Sequence, residues 1–335
     1  MDTVSQVALG AAVGVAVLGR RTALWKAALW GGVCGTLPDL DTFVPRGDPV
    51  ATMTLHRAES HALFWLTLAA PLIAALIARV QRADGVPYAR WWLMVWLALV
   101  THPLLDAMTV YGTQLGLPFT DFAYAVGSIF IIDPLYTLPL LIGLGLALAR
   151  QRPGCNAAGL ALSSAYLAWS VLAQQHVTAI ATQQARAQGI QIERLLVTPA
   201  PFTTLLWRIV IVSPDGHYHE AFSALLDDAG VPLAFDRYAR GADLLAALRS
   251  HPPVARMEGF ARGFIKLERT GDRIVLSDLR MGLEPTYTFA FVVARAQSPT
   301  LVPVTPASAG QRPDVPRVLA WMARRLRGEP LPPPR

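Results

Sequence analysis

The sequence predicts a membrane α-helical bundle of about six helices followed by a small α+β, mainly β, C-terminal domain. Of the 335 residues only 16% are charged, whereas an ordinary soluble domain carries about 25%. Charged residues are scarce in the first 175 residues, where long apolar runs recur. After residue 175 the apolar stretches become short and alternate with polar residues, which is typical of strands.

Six apolar runs define the predicted membrane helices, since a bilayer core takes about 20 mostly apolar residues as a helix. The fifth run exceeds this length, and the third, fourth and sixth are long enough to cross. The first two are short, so we expect a tight hairpin, or one of them is re-entrant. The runs are residues 4–19, 22–37, 62–79, 91–108, 127–149 and 157–174.

Basic residues predict which way the helices point, because short cytoplasmic connections are enriched in Lys and Arg. The connections after the first, third and fifth runs hold eight basic residues, and the other two hold Arg46 and Arg57. This count places the N-terminus, the 38–60 connection and residues 176–335 outside the cytoplasm, in a multi-pass protein of the inner (cytoplasmic) membrane. The net charge of +6 is part of this topology, so no nucleic-acid partner is expected.

Residues 176–297 are predicted to form an extracytoplasmic, mainly β domain after a membrane-embedded domain at 1–175. Asp-Gly and Gly-Asp pairs supply the turns of hairpins. One short helix is expected at 241–250. The expected strand regions are 205–213, 216–225, 263–280 and 286–296.

Residues 298–335 are predicted to form a Pro-rich linker and an amphipathic C-terminal helix. The linker covers 298–313, and Asp314 is the expected N-cap of the helix. The basic helix could rest on a membrane surface. We favour the alternative, in which apolar side chains cover a sheet edge. These side chains are Val318, Leu319, Met322 and Leu326.

Three separate segments carry carboxylates and imidazoles to one predicted membrane depth. A DxD pair follows the second run, two histidines flank the start of the third, and an i, i+4 pair occupies one helix face near the outer end of the fourth. The residues are Asp39, Asp41, His56, His61, His102 and Asp106.

Imidazole nitrogen and carboxylate oxygen are ligands that suit Zn²⁺, Mn²⁺ or Fe²⁺, and zinc is favoured here. Six ligands exceed the three that one catalytic zinc needs, so either two metals bind or some residues orient a histidine. Each piece alone has a structural interpretation: the DxD pair as a helix cap, and the His–Asp pair as a polar contact between helices. Ionisable residues in a membrane span cost about 2.5–3.5 kcal/mol each, so their convergence favours the metal site.

Three further charged residues are candidates near this site. Asp133, within the fifth run and before Pro134, is an additional ligand, a partner that orients a ligand, or a polar residue that satisfies a broken helix. Arg57 could hold an anionic substrate group, and Glu59 could serve as general base. Solvated loop charge is the competing interpretation for Arg57 and Glu59.

The motifs "LPDLD", "HRAESH", "HPLLD" and "DPLYTLPLL", in this order, resemble the bacterial and archaeal family of inner-membrane metal-dependent hydrolases, which includes a small LexA-regulated membrane hydrolase. The resemblance covers roughly residues 1–175. It implies a membrane-embedded hydrolase-like domain whose metal is bound by the six residues named above. It also implies a distant likeness to zinc-dependent phospholipase C, which favours phosphoester or lipid substrates.

These observations favour an integral membrane metal-dependent hydrolase. Metal-bound hydroxide would attack an ester or phosphodiester of a small-molecule or lipid substrate at the outer face of the membrane. The alternative is a metal-ion or small-solute transporter or binding protein without hydrolytic activity. A lipid phosphatase with a histidine nucleophile is disfavoured, because this sequence lacks the other motifs that such an enzyme needs. A membrane anchor with a β binding domain is the remaining alternative.

Overall fold

The computed structural model describes residues 1–228, 231–297 and 300–334. The chain divides into two compact units. The first comprises Met1–Val44, His56–Val171 and Pro201–Thr203. The second comprises Pro45–Leu55, Leu172–Ala200 and Thr204–Arg335. The boundary between the helical and β-rich parts therefore falls inside a helix, and residues 45–55, which the sequence placed in a connection, belong to the second unit.

Each predicted apolar run contains a helix, so the expected helical N-terminal half is confirmed. This region also contains one helix that lies in no apolar run. It is α3, which is short and belongs to the second unit. The helices are α1 (Thr3–Leu18), α2 (Leu24–Thr36), α3 (Pro49–Leu55), α4 (Leu63–Val80), α5 (Tyr88–Ala107), α6 (Pro134–Arg150) and α7 (Pro153–Ala187).

Two helix boundaries differ from the apolar runs. The fifth run begins at residue 127, but α6 begins at Pro134, because Asp133 caps it and proline is favoured at the first helical position. α7 continues past residue 174 to Ala187, into the second unit. Its second half packs on the first β-sheet with Val177, Ala181 and Ala185 buried.

Among the described residues, three helical stretches are long and apolar enough to cross a membrane: Thr3–Arg21, Leu63–Val80 and Pro153–Ala187. α6 is a shorter apolar helix. These helices support a membrane location. The number of crossings and their direction stay predictions.

Glycines bring α1 and α2 into backbone contact. A Cβ on Gly10 would overlap the carbonyl oxygen of Gly31, and a Cβ on Gly35 would lie 2.9 Å from the Gln6 carbonyl oxygen. Small residues that let helix backbones approach closely are typical of membrane helix pairs. This contact fixes the end of α2, where the DxD motif begins.

The basic connections meet at one end of the first unit. Lys26 Nζ and Thr22 Oγ1 donate to Asp84 at 2.8 and 2.6 Å, which joins the α1–α2 and α4–α5 connections. Arg20 donates to the carbonyl oxygen of Gln151 at 3.0 Å, next to the α6–α7 connection. α2 runs from this end to the DxD segment, and α4 runs from the histidine segment to this end. The predicted ligands therefore lie at the opposite end.

The second unit contains the expected antiparallel sheets. Its elements, with the C-terminal helix, are β1 (Arg194–Pro199), β2 (Leu206–Val212), β3 (His217–Ala224), β4 (Asp236–Ala239), α8 (Ala242–Leu248), α9 (Pro252–Phe260), β5 (Ile265–Thr270), β6 (Arg273–Asp278), β7 (Gly282–Leu283), β8 (Thr286–Tyr287), β9 (Ala290–Gln297), β10 (Thr300–Ser308) and α10 (Val315–Arg325). One sheet has the order β1-β2-β3-β4, a second has the order β10-β9-β6-β5, and β7 pairs with β8. Strands β2, β3, β5, β6 and β9, and helix α8, overlap the predicted regions.

The predicted linker at 298–313 is wrong over most of its length, because residues 300–308 form β10, an edge strand paired with β9. Prolines are tolerated at edges, where a strand pairs on one side. Residues 298–299 lie outside the described part of the chain. The C-terminal helix does cover the first sheet, and Asp314 caps it as predicted. Trp321 rather than the exposed Leu319 takes part in this packing, edge-on against Phe222.

Candidate metal centre

Four side chains from three segments converge in the first unit. Asp39 lies in a 3-10 helix (Leu37–Phe43) that continues α2, and His61 ends a 3-10 turn that precedes α4. His102 and Asp106 lie one turn apart on α5. Each offers one ligand atom, and these four atoms all lie within 4.8 Å of one another. These four residues form the tetrad.

Distances within the tetrad match those around a tetrahedral metal ion. His61 Nε2 lies 3.2 Å from both His102 Nε2 and Asp106 Oδ2, and 3.5 Å from Asp39 Oδ1. His102 Nε2 lies 3.4 Å from the same two carboxylate oxygens. Tetrahedral bonds of about 2.0–2.2 Å hold ligand atoms about 3.3–3.6 Å apart. The tetrad therefore has the dimensions of a tetrahedral metal site.

Hydrogen bonds set the tautomers of both histidines. His102 Nδ1 lies 2.6 Å from the carbonyl oxygen of Gly35, which can only accept, so Nδ1 carries the proton. Ser60 Oγ donates to Asp41 Oδ2 at 2.9 Å, so it accepts from His61 Nδ1, also at 2.9 Å. Each Nε2 therefore presents a lone pair to the centre of the tetrad, as a metal-binding histidine does.

The centre of the tetrad lacks a donor. Asp106 Oδ2 is buried and has no hydrogen-bond partner among the described residues. Two imidazole lone pairs and two carboxylate oxygens face one another there, and buried acceptors without a donor are costly. The cluster could therefore bind a metal ion, and its nitrogen and oxygen donors suit Zn²⁺, Mn²⁺ or Fe²⁺.

Buried polar groups fix the position of the Asp106 carboxylate, mainly through Oδ1, the oxygen that is not a ligand atom of the tetrad. Its Oδ1 accepts from Gln6 Nε2 at 3.1 Å and from the amino group of Met1. Arg57 Nε lies 3.2 Å from Oδ2 and supplies positive charge on one side. A carboxylate held this way keeps its direction toward the tetrad centre.

Asp41 and His56 form, with Asp39, a second group that could hold an ion. His56 Nδ1 lies 2.9 Å from Asp41 Oδ1, while Asp41 Oδ2 accepts from the Arg57 backbone at 3.1 Å. The side chains of Asp39 and His56 are 26% and 25% exposed, whereas those of His61, His102 and Asp106 are fully buried. Asp39 thus stands between a buried group and a solvent-facing one.

Asp41 of the DxD motif is held in the charged form. Burial alone would raise its pKa, but the hydrogen bond from His56 outweighs burial and lowers the pKa of Asp41 below its usual range. Charged carboxylates are the form that binds metal.

Arg57 is buried rather than a solvated loop residue. Its backbone has a φ of 64°, and its guanidinium lies over the Tyr111 ring at 4.8 Å and beside Asp106. A left-handed backbone at a non-glycine residue is costly and needs compensating contacts. Glu59 is exposed and belongs to neither ligand group, so its role as general base stays a prediction.

Asp133 is not brought into either ligand group. It caps α6 by accepting from the backbone of Leu135 and Tyr136, and it accepts from the Tyr166 hydroxyl at 2.9 Å. The interpretation of Asp133 as a residue that satisfies a broken helix fits these contacts. An aspartate directly before Pro134 is a strong N-cap pattern, so the sequence carried this signal.

Two residues near the site were not singled out from the sequence. Gln6, a lone amide in the apolar α1, bonds Asp106 and the carbonyl oxygen of His102. Ser60 lies inside the quoted "HRAESH" motif and links His61 to Asp41. A buried amide in an apolar helix is a signal that could have identified Gln6.

Comparison with known proteins agrees with the motifs. The family model described as YdjM inner membrane protein matches residues 1–177. The chain is 26% identical over 282 residues to the uncharacterized protein YfhP of Bacillus subtilis (strain 168), an alignment that covers 77% of this chain and 82% of YfhP. No solved structure matches the chain. The family resemblance seen in the first 175 residues is confirmed.

Proposed function

The chain belongs to the YdjM inner membrane protein family, and we propose that it is a metal-dependent hydrolase of the inner membrane. The observation that carries the proposal is the tetrad: four buried or half-buried acceptor atoms, aimed at one point, at the spacing of metal ligands. Zinc is the favoured ion, because two imidazoles and two carboxylates match its common donors.

The residues around the tetrad have separable roles. A bound divalent ion would supply Lewis-acid polarisation and would make a water molecule acidic at neutral pH. His61, His102 and Asp106 would hold the ion rigidly, since each is buried and hydrogen-bonded on its far side. Asp39, the half-buried member, would meet the substrate, because its side chain is 26% exposed.

The second group supports an additional role for Asp39, Asp41 and His56. These three residues could hold a second ion, with Asp39 shared between the two groups. With one ion, the paired His56 and Asp41 would instead move a proton to or from a reacting group, because a half-exposed imidazole fixed by a carboxylate suits that task. Arg57 would neutralise Asp106 and keep the site's charge balanced.

We place the site at the outer face of the membrane. The basic connections gather at the other end of the first unit, and basic connections favour the cytoplasm. An alkaline-phosphatase reporter fused after residue 190 should be active outside the cytoplasm. Activity of a reporter that works only in the cytoplasm, fused at the same point, would overturn this orientation.

Metal content of purified variants tests the site. His61→Ala and His102→Ala should each lose bound metal, because each removes a lone pair that nothing else replaces. His217→Ala is the matched control, since His217 lies in the second unit and belongs to neither ligand group. Full metal occupancy in His102→Ala at low free metal would refute the site.

Activity separates the hydrolase from its alternative. Metal-loaded protein should cleave phosphodiester or carboxylic ester substrates, and His102→Ala should not. Metal bound in the wild type with no cleavage of either class would favour the transporter or binding protein. The same protein preparation serves both measurements, so loss of metal and loss of chemistry are compared directly.

A further inference from the structure

An exposed aromatic rim lies beside the tetrad. Phe64 and Trp65 begin α4, three and four residues after His61, and Phe119 packs edge-on against Phe64 with ring centroids 5.3 Å apart. Their exposed fractions are 39%, 43% and 79%. The Leu63 backbone donates to the Leu115 carbonyl at 3.1 Å, which ties the segment carrying Phe119 to α4. These three aromatic residues form the rim.

The rim continues an apolar stripe along α4. Every fourth residue below it is a large exposed hydrophobic side chain, so the stripe follows one face of the helix. α4 is itself long and apolar enough to cross a membrane, and such a stripe is the surface that faces lipid. The stripe comprises Leu68, Leu72, Leu76 and Val80.

A second exposed apolar surface leads to the site along α2. Trp25, Leu29 and Val33 are exposed at intervals of four, and Leu40 and Phe43 are exposed in the 3-10 helix that carries Asp39. Phe43 is 82% exposed. Apolar surface therefore reaches the exposed ligand, Asp39, as well as His61.

Trp residues at the end of a membrane helix mark the headgroup layer of the bilayer, and Trp65 of the rim lies at such an end. His61 lies three residues from Phe64, and three residues of chain span at most about 11 Å. The tetrad is thus at the depth of lipid headgroups, with Asp39 as its accessible member. A bond cleaved here can belong to a molecule whose hydrocarbon lies along the α4 or α2 stripe.

We propose that the substrate of the site is a membrane lipid whose scissile ester or phosphodiester lies at headgroup depth, presented by the rim. This rests on the proposed hydrolase function. The lipid's chains lie against the apolar stripes, its headgroup region reaches Asp39, and the rim holds the site in the interface. Water is consumed, the ester or P–O bond breaks, and an alcohol and an acid are released.

Depth measurement tests the rim without any need for activity. A nitroxide at Phe119→Cys, with Cys34 and Cys155 replaced by Ala, should be more accessible to oxygen than to a water-soluble nickel chelate in nanodiscs. The discs contain phosphatidylethanolamine and phosphatidylglycerol. Leu72→Cys is the bilayer reference and Asp215→Cys, in a charged turn, the water reference. A label at 119 that behaves like the one at 215 would overturn the proposal, and Trp65→Cys repeats the measurement at a second rim position.

Substrate preference completes the test. Zinc-loaded protein should cleave disc lipid, and Phe119→Ser should lower the ratio of kcat/KM for lipid to kcat/KM for a soluble phosphodiester or ester by about tenfold, the scale of losing one buried aromatic contact. Leu162→Ser, at an exposed apolar residue of α7 outside both stripes, should leave that ratio unchanged. Cleavage of the soluble substrates alone overturns the lipid proposal and keeps the hydrolase. Cleavage of neither overturns both.

Discussion

Replacing Ser60 by Ala should weaken metal binding without removing a ligand. Ser60 Oγ accepts from His61 Nδ1 and donates to Asp41 Oδ2, each at 2.9 Å. Without the hydroxyl, His61 loses the acceptor that keeps the proton on Nδ1, and its ring is free to turn. Asp41 loses one of the donors that orient its carboxylate. The ion would then meet a histidine that spends part of its time in the wrong tautomer.

The expected loss follows from these two hydrogen bonds. A neutral hydrogen bond contributes about 0.5–1.5 kcal/mol net and one to a charged group about 1.5–3 kcal/mol. Part of this is retained, because water reaches the half-exposed side of the site. A loss of about 1.4–2.7 kcal/mol remains, which is ten- to a hundredfold in Kd and equals the usual effect of removing a partner that orients a ligand.

The assay is zinc affinity by competition with a chromophoric chelator in detergent, with metal content measured on the same samples. Ser163→Ala is the matched control, since the Ser163 hydroxyl is buried in the same unit but donates to the Tyr136 carbonyl oxygen. The control should bind zinc as the wild type does. An unchanged Kd in Ser60→Ala would refute the argument that Ser60 sets the His61 tautomer.

Three further predictions concern packing, capping and pH. Gly10→Val should cost about 1–3 kcal/mol through overlap with α2 and lower the melting temperature, whereas Gly145→Val, whose Cβ would meet nothing within 4 Å, should leave it unchanged. Asp133→Ala should cost about 0.5–2 kcal/mol as a lost N-cap yet keep full metal content; a metal-free variant would contradict its assignment as a cap. Burial lowers the pKa of His219, so the unfolded chain takes up a proton at a higher pH than the folded chain, and stability should fall as the pH drops below about 6.5. His219→Gln should lessen this loss of stability, measured as the difference in melting temperature between about pH 7.5 and 5.5. An equal difference in the wild type and the variant would contradict this role of His219.

Helices and ligands were predictable where the signal is local or chemically rare. Apolar runs predicted the positions of six of the seven helices α1 to α7, because a bilayer demands length and apolarity together; α3 lies in none of the runs. His102 and Asp106 stood out because an i, i+4 pair of ionisable residues in an apolar helix is costly. Their convergence with Asp39 and His61 was predicted from the position of each residue along its helix, which places all four at one membrane depth.

Other features depended on contacts that sequence spacing does not carry. The prolines and serines of β10 are typical of a flexible linker, whereas the strand forms because the edge of the sheet offers β9 as a partner. Residues 45–55 belong to the second unit together with segments that follow more than a hundred residues later in the sequence. Ser60 and Gln6 act on ligands through single hydrogen bonds, which no periodic pattern reveals.

Gly35 connects the packing of α1 and α2 to the choice of ion. Its missing side chain admits α1, since a Cβ would lie 2.9 Å from the Gln6 carbonyl oxygen, and its own carbonyl fixes His102. Gln6, from the other helix, holds Asp106. Helices in backbone contact have no side chains that could yield, so the ring and the carboxylate cannot move apart. If the tetrad binds a metal ion as proposed, a site with this stiffness should favour ions with bonds near 2.0–2.2 Å over Ca²⁺, which requires six to eight oxygens at about 2.3–2.6 Å.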